Sequence, residues 1–246
     1  MEEGSNPTMD GKPTITRQTP TARSTIDTAP NCVFCAYTTR YPAISPTSTS
    51  QDLDKHFDPE KLDPEGYVLL STPHVMAFLD TQPLTRGHVL VTPRKHRVKI
   101  GDLGPDEAAE IGKVMPVLAR AVIGAVMPDI PHDEADYNVV QNNGPGAAQV
   151  VNHVHFHIIP RPPLNYKAPT YPSKGKRKYD PAQIPQGFQA TTILFGRGYR
   201  HYVDEDEPVE MVVEMRRRVA EEWKRAFGED KEGGSKKRNE RSPEKL

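Results

Sequence analysis

Six short hydrophobic runs, each bounded by polar or turn-forming residues, are spread over the middle of the chain. Their lengths, their β-branched and aromatic content, and the prolines and glycines beside them are typical of β-strands. The predicted strands cover residues 67–70, 75–79, 88–92, 137–141, 152–159 and 191–195.

Two longer segments carry apolar residues at the spacing of an amphipathic α-helix. The first begins at Pro105, whose fixed φ suits an opening turn, and Pro116 inside it is expected to kink or split the helix. The second covers 208–227 and ends before Gly228, which suits a helix C-terminus. The apolar positions are Ile111, Val114, Met115, Leu118 and Val122 in the first helix and Val212, Met215, Val219, Trp223 and Phe227 in the second.

Polar stretches make up much of the remaining chain. Only 35% of the 246 residues are hydrophobic and 25 are prolines, so part of the chain buries little apolar surface. Residues 1–30 and the charged tail 229–246 are predicted to be disordered, and the folded domain is predicted to cover 31–228. Within that domain, the stretches 41–66 and 162–190 indicate inserted loops.

Charge and composition argue against several classes of protein. The formal net charge of −1 gives no strong field for nucleic acid or an anionic membrane, and no apolar run is long enough to cross a bilayer. Residues 1–30 lack the apolar core of a secretory signal, and their acidic residues argue against a mitochondrial presequence. We therefore expect a cytoplasmic or nuclear protein, or both, with neither membrane nor nucleic acid as a partner.

Three alternating histidines, His153, His155 and His157, stand in the predicted strand 152–159. Because side chains alternate between the faces of a strand, the three imidazoles share one face and the intervening apolar residues share the other. Mutual repulsion keeps some of them neutral near pH 7, and a neutral imidazole whose other nitrogen holds its proton on an acceptor is a nucleophile. A solvent-facing polar face and a zinc chelate are the two other interpretations.

The loop 141–149, rich in amides, glycine and small residues, lies directly before the histidines. Such a loop can bring backbone N–H groups close to an anion, although on its own it also fits an ordinary connection between strands. Beside three histidines, it favours phosphoryl chemistry over the other interpretations.

Cys32 and Cys35 are the two cysteines of the chain, spaced C-x-x-C. Two thiols are too few for a tetrahedral zinc site, so two histidines would have to complete it. A pair of buried apolar thiols and a redox pair are the alternatives, and no thioredoxin-like context surrounds the cysteines.

These motifs together resemble the histidine triad (HIT) superfamily. The histidine pattern at 153–159 is joined, in matching order and spacing, by the segment 32–35, which is similar to the family's opening strand, and by 78–96, which is similar to its central segment. The segment 137–144 resembles the Hint branch more than the Fhit branch. The chain thus resembles a fungal-type, Hint-like member with insertions, over roughly residues 31 to 162.

The resemblance implies an α+β fold: a five-stranded antiparallel sheet with a long helix and a C-terminal helix, assembled as a homodimer. It implies that His155 attacks the α-phosphorus of a purine nucleotide, that water then releases the nucleoside monophosphate, and that His157 helps to protonate the leaving group. By the same resemblance, His88 and His153 belong to the active site, Phe34 and Leu79 to the base pocket, Asp80 to the ribose site, and Asn142 and Gln149 to the surroundings of the phosphates.

Some family members hold zinc with the equivalents of Cys32, Cys35, His96 and His153, and all four residue types stand at the matching places here. The resemblance therefore implies a structural zinc, which would pin the first segment to the histidine strand. No organic cofactor is expected.

The resulting hypothesis is hydrolysis of purine nucleoside 5′-phosphoramidates to AMP and an amine. A dinucleoside polyphosphate hydrolase, as in the Fhit branch, and a nucleotide-binding interaction protein with little turnover are the alternatives; an aprataxin-like DNA deadenylase fits the near-neutral charge less well. Ala148 stands where the Hint branch usually has glycine, and Val150 stands where it often has a hydroxyl residue. These departures and the two insertions leave the identity of the leaving group open.

Overall fold

The structure, a computed structural model, describes residues 28–61, 65–164, 166–169 and 207–228. The helices in this part of the chain are α1 (Val33–Arg40), α2 (Ser50–His56), α3 (Pro105–Val126) and α4 (Glu207–Phe227). The strands are β1 (Val68–Ser71), β2 (Val75–Leu79), β3 (Val89–Pro93), β4 (Tyr137–Gln141) and β5 (Phe156–Pro160). The predicted strand at 191–195, most of the insertion 162–190 and the tail 229–246 lie outside the described residues.

One antiparallel sheet organises the domain, with the strand order β1-β2-β3-β5-β4. The helix α3 leads from β3 to β4 at the edge of the sheet, and β5 then returns between them. The α+β class, the five-stranded antiparallel sheet, the long helix and the C-terminal helix were all predicted, and the structure confirms them.

The two faces of the sheet are covered by different elements. Leu79 and Val89 are paired across β2 and β3, and both lie in the larger core beneath α3 and α4. Phe78 and Leu90 form the neighbouring pair and belong to a second core. Leu90 is in turn paired with His157 of β5. Because paired residues of an antiparallel sheet project to the same side, the face of this second core is also the face of His157.

The predicted loop 41–66 proves to contain regular structure and part of the second core. It includes α2, and its residues Tyr41, Leu53 and Phe57 are all buried. The hydroxyl of Tyr41 donates to the carbonyl of Gly66 at 3.2 Å, which closes the segment on itself. Because the stretch is mostly polar, its composition did not indicate that these few large side chains are buried. Their burial supplies the free energy that orders the segment.

The helix α3 begins at Pro105 as predicted and runs to Val126 without a break. The carboxylate of Glu107 accepts hydrogen bonds from the backbone of Gly104 at 2.8 Å and from Nε of Arg97 at 3.0 Å, which secures the first turn. The helix continues through Pro116 and is not split there. The proline removes one backbone hydrogen bond, a cost of about 3 kcal/mol, which the burial of the apolar stripe around it outweighs.

The helix α4 packs against α3 and β1. Its predicted stripe is buried at Val212, Met215, Val219 and Trp223, whereas Phe227 in the last turn is 44% exposed. Gly228 follows with a φ of +79°, the left-handed conformation that ends many helices. Among the described helices, none combines the length and hydropathy needed to cross a membrane.

Two predicted strands have different structures near the histidines. The segment 32–35 opens the helix α1 rather than a strand, with Cys32 as its N-cap. The strand β5 begins only at Phe156, so His153 and His155 precede it. The pairing of Gln141 with Phe156 is the last on this side of the β4–β5 ladder. The chain before Phe156 therefore lacks the neighbour in β4 that would extend the strand.

Arg216 of α4 is buried and joins three layers of the fold. Its Nε donates to the carbonyl of Val68 in β1 at 2.6 Å, and its Nη2 donates to the carbonyl of Phe57 at 3.2 Å. Its guanidinium carbon lies 5.1 Å from the centre of the Phe57 ring. Burial lowers the pKa of Arg216 to about 10, so this side chain remains charged at neutral pH and depends on these acceptors.

Replacing Arg216 by alanine should lower the free energy of unfolding by about 3 kcal/mol, because two buried carbonyls lose their charged donor. Urea denaturation followed by circular dichroism measures the change. Arg217, whose side chain is 51% exposed in the same helix, provides the matched control. Arg217→Ala should cost less than about 1 kcal/mol, and equal losses from the two variants would contradict this account.

Candidate active site and metal site

His155 is buried at the centre of the histidine cluster, and its backbone surroundings fix its tautomer. Its Nδ1 lies 2.7 Å from the carbonyl oxygen of His153. Because a carbonyl can only accept, the geometry assigns the proton to Nδ1 and the lone pair to Nε2. The ring of Phe34 meets the His155 ring edge-on, with the ring centres 5.1 Å apart. The arrangement is that of an imidazole prepared to act as a nucleophile through Nε2.

His157 is linked to His88 and Asp80 in a buried chain of polar groups. Nε2 of His88 lies 2.9 Å from Nδ1 of His157. The backbone N–H of Leu84 donates to Nδ1 of His88 at 3.2 Å, which places the His88 proton on Nε2 and directs it to His157. His157 then carries its own proton on Nε2, the nitrogen that can donate it to a leaving group.

The carboxylate of Asp80 acts on the same pair of imidazoles. Its Oδ2 lies 3.3 Å from Nδ1 of His88, the atom that also receives the N–H of Leu84. Nδ1 cannot accept from one group and donate to the other at the same time, so the neutral pair uses Leu84. An additional proton on the pair would be stabilised by Asp80, because an opposite charge at this distance favours the imidazolium.

The loop after β4 presents a buried donor and is held by a glutamine. Nδ2 of Asn142 is buried without a hydrogen-bond partner among the described residues. Asn142 directly follows Gln141, the last residue of β4, which pairs with Phe156 next to His155 in the chain. The side chain of Gln149 accepts from the N–H of Gly144 at 2.6 Å and donates to the carbonyl of Val98 at 2.8 Å. The hydrogen bonds of Gln149 hold this loop in shape, and the side chain of Asn142 adds a buried donor to it.

An aromatic wall lies beside the histidines on the same face of the sheet. Phe34 of α1 packs against Phe78 of β2, with ring centres 5.4 Å apart, and Tyr37 stacks on Phe78 at 4.3 Å. Leu79, which was predicted for this wall, lies on the opposite face in the core beneath α3 and α4. Leu79 therefore does not contribute to this wall, because a shift of one residue in a strand exchanges the faces. The alternation of side chains along the strand was the signal that would have identified the neighbouring residue, Phe78, as the one on the face of the wall.

Four side chains with soft or borderline donor atoms meet beside the triad: Cys32, Cys35, His96 and His153. Their donor atoms all lie within 4.8 Å of one another. Nδ1 of His153 lies 3.4 Å from Sγ of Cys32 and 3.7 Å from Sγ of Cys35, and Nδ1 of His96 lies 3.4 Å from Sγ of Cys35. The four residues predicted from widely separated parts of the sequence are therefore brought together.

The chemistry of this donor set fits a metal ion. Bonds of about 2.0 to 2.3 Å around a tetrahedral ion separate neighbouring ligand atoms by roughly 3.5 Å, close to the spacing between these sulfur and nitrogen atoms. Nε2 of His153 donates to the carbonyl of Pro93 at 3.0 Å, which leaves the lone pair on Nδ1 directed at the thiols. These residues could hold a metal.

Burial controls the charge of the unliganded donors. It lowers the pKa of His153 to about 4 and raises the pKa of the Cys35 thiol to about 11. The pKa of His96 is also lowered, by burial and then by the positive charge of Arg97. Both imidazoles are therefore neutral at pH 7, as metal coordination requires.

Comparisons with known proteins agree with this geometry. A family model described as the HIT domain matches residues 63–164. The adenosine 5′-monophosphoramidase of Schizosaccharomyces pombe is 42% identical over 108 residues, which are 42% of this chain and 74% of that protein. The Saccharomyces cerevisiae protein of the same name is 42% identical over 96 residues, which are 39% of this chain and 54% of that protein.

Solved structures also match. The crystal structure of a hypothetical histidine triad nucleotide-binding protein from Sulfolobus tokodaii superposes with a TM-score of 0.47 at 27% sequence identity. The match covers 69% of this chain and 93% of that one.

Ala148 in the loop before the histidines has a φ of +64°, a conformation that costs an L-residue with a Cβ about 1 kcal/mol. Ala148→Gly should therefore raise the free energy of unfolding by about 0.5 kcal/mol, after the greater entropy of unfolded glycine is subtracted. Ala147 is the matched control, since it lies in a 3-10 turn with no positive φ. Ala147→Gly should lower stability, and an equal change in both variants, measured by urea denaturation, would contradict the assignment of strain.

Proposed function

The chain belongs to the histidine triad (HIT) family, and from this premise we propose that it hydrolyses purine nucleoside 5′-phosphoramidates to AMP and an amine. The observation that carries the proposal is the 2.7 Å contact that leaves the lone pair of His155 on Nε2. The names of the two yeast relatives support the choice of substrate. The chain spans 74% of the length of one relative and 54% of the other.

In the first half of the reaction, Nε2 of His155 attacks the α-phosphorus and the bond from phosphorus to the amine nitrogen breaks. The acid is the His88–His157 pair with the additional proton that Asp80 stabilises. The departing nitrogen takes a proton from Nε2 of His157 and leaves as a neutral amine, and the pair becomes neutral. Nδ1 of His155 keeps its proton on the carbonyl of His153, so the positive charge that develops on His155 is stabilised there. The product is an AMP group covalently bound to His155.

In the second half, water replaces the histidine at phosphorus. Nε2 of the now neutral His157 accepts a proton from the attacking water, which returns the pair to its protonated form, and the bond between phosphorus and His155 breaks to release AMP. His88, 2.9 Å from Nδ1 of His157, and Asp80, 3.3 Å from His88, stabilise the proton that His157 regains. Both histidines then have their starting tautomers.

We propose that the nucleotide binds between the aromatic wall and the loop. The unpartnered Nδ2 of Asn142 supplies a donor for a phosphate oxygen, at a buried position where an unmet donor is otherwise costly. The ring of Phe34, which meets the His155 ring and is backed by Phe78, borders the place for the base. A purine covers more of this ring than a pyrimidine, which supports the proposed purine preference.

The metal that the donor set accommodates is proposed to be zinc. Two thiols and two imidazoles at tetrahedral spacing suit Zn²⁺ better than the oxygen-seeking Mg²⁺ or Ca²⁺. All four positions come from the protein, so the ion is structural and leaves no site for water. Reduced thiols suit the cytoplasmic or nuclear location proposed from the sequence.

The homodimer is also a proposal. β4 is an edge strand of the sheet, and Val139 in its middle is 50% exposed. A second copy that covers this edge would remove an exposed apolar side chain and satisfy the outer backbone groups of the strand.

His155→Ala should lower kcat/KM for a fluorogenic adenosine phosphoramidate by roughly 10⁴-fold or more, because the covalent step is lost. His132→Ala changes an exposed histidine outside the site and should have no effect. Similar turnover by wild type and His155→Ala would refute the nucleophile. Cleavage of a diadenosine polyphosphate into two nucleotides, without phosphoramidate turnover, would assign the alternative hydrolase instead.

The two neighbours Phe78 and Leu79 test the position of the base. Phe78→Ala should raise KM, because it removes the ring that backs Phe34 beside His155, and should also destabilise the protein by about 3 kcal/mol or more, because Phe78 is buried. Leu79→Ala should leave KM unchanged while it destabilises the protein by about 3 kcal/mol through a cavity in the other core. An increase in KM for Leu79→Ala alone would place the base on the opposite face.

A further inference from the structure

The segment 97–100 runs alongside the loop between β4 and the histidines. Three hydrogen bonds join its backbone to that part of the chain: the carbonyl of Arg97 accepts from the N–H of Val154 at 2.6 Å, the carbonyl of Val98 accepts from Nε2 of Gln149 at 2.8 Å, and the N–H of Ile100 donates to Oδ1 of Asn143 at 2.9 Å. Lys99 stands between the second and the third of these bonds. Its backbone is therefore held against the loop.

The side chain of Lys99 crosses to the loop at Gly144. A Cβ built on Gly144 would lie 3.6 Å from both Cε and Nζ of Lys99, so the ammonium lies against the side of the loop where Gly144 has no side chain. Gly144 follows the buried donor Asn142 by two residues, and two residues of chain span at most about 7 Å. The same short loop thus carries the proposed phosphate donor at one end and an ammonium at the other.

The charge of this ammonium is not matched by a carboxylate of the described residues. Arg97, in the same segment, is paired with Glu107 at 3.0 Å. The carboxylate of Asp102 accepts the backbone N–H of Lys99 at 2.9 Å, and Nζ of Lys99 has no hydrogen-bond or ion-pair partner in the described part of the chain. Val150, farther along the loop, is 84% exposed and offers only apolar surface. Lys99 therefore gives this loop a cation that is available to a ligand.

We propose that Lys99 is a specificity-determining residue that binds an anionic group on the departing amine. The preferred substrates are then nucleoside phosphoramidates whose amine carries a carboxylate, as an amino acid does. In such a compound the carboxylate stands next to the nitrogen that leaves phosphorus, so one end of the loop contacts the phosphate and the other contacts the carboxylate. An ammonium binds either oxygen of a carboxylate through a charge-assisted hydrogen bond. The inference rests on the proposed function, which places the phosphorus beside His155 and Asn142.

The test compares two ligands that differ in charge and hardly in shape, the adenosine 5′-phosphoramidates of glycine and of glycinamide. Their affinities are measured by calorimetry at low ionic strength with the full chain carrying His155→Ala, which keeps both ligands intact. We expect the glycine conjugate to bind roughly fivefold more tightly than the glycinamide conjugate, and Lys99→Met in the same background to abolish the difference. Salt at about 0.5 M should also reduce it, because the ammonium is exposed.

Two further variants separate the local contact from the net charge of the protein. Lys55→Met removes the same charge from an exposed lysine of α2 and should leave the preference for the glycine conjugate unchanged. Lys99→Arg keeps the charge at the loop and should retain most of the preference. In both Lys99 variants the affinity for the glycinamide conjugate should stay the same, which shows that the loop still folds.

Equal affinities for the two conjugates in the chain that retains Lys99, or a preference that persists in Lys99→Met, would overturn the inference. Failure to bind either conjugate would overturn it as well. Turnover is measured separately in the chain that retains His155, where kcat/KM should show the same preference. A preference in binding that depends on Lys99, in a protein that hydrolyses neither conjugate, would support the contact and contradict only the proposed reaction.

Discussion

The hydrogen bond from Nδ1 of His155 to the carbonyl of His153 is the contact on which the proposed chemistry of this protein depends. An imidazole has two nitrogens, and the one without a proton is the nucleophile. A backbone acceptor settles this choice without adding a charge to a site that is proposed to receive a phosphate. The carbonyl belongs to a residue whose side chain meets two thiols and whose peptide precedes the sheet. The tautomer of His155 is therefore set by the backbone of its neighbour His153.

The sheet provides the frame for this contact by separating two kinds of burial. One face packs on α3 and α4, where Leu79 and Val89 contribute to an aliphatic core. The opposite face carries His157, Leu90 and Phe78 on three neighbouring strands, and the aromatic wall lies on this face. The same five strands thus stabilise the domain on one side and present polar and aromatic groups on the other. Each residue has its role because strand geometry alternates the direction of side chains.

The segment 41–66 forms part of the support for that wall. Tyr41 and Phe57 pack beneath the aromatic residues, and Arg216 of α4 donates to a carbonyl on each side of the boundary between this segment and β1. A buried guanidinium is expensive to desolvate, and it is retained here because its planar donors match two fixed carbonyls. The stretch is part of the domain's core rather than a loop on its surface.

The sequence by itself determined the order of the strands and helices, the three histidines, the cysteine pair and the likeness to the HIT family, since periodicity and spacing are local properties. It misassigned 32–35 as a strand and extended β5 to the histidines. Leu79, predicted for the base pocket, lies in the core beneath α3 and α4. Those outcomes were decided by tertiary structure. Whether a strand continues depends on a neighbour to pair with, and which face meets a ligand depends on register. Donors far apart in the chain also form one site only when packing brings them within bonding distance.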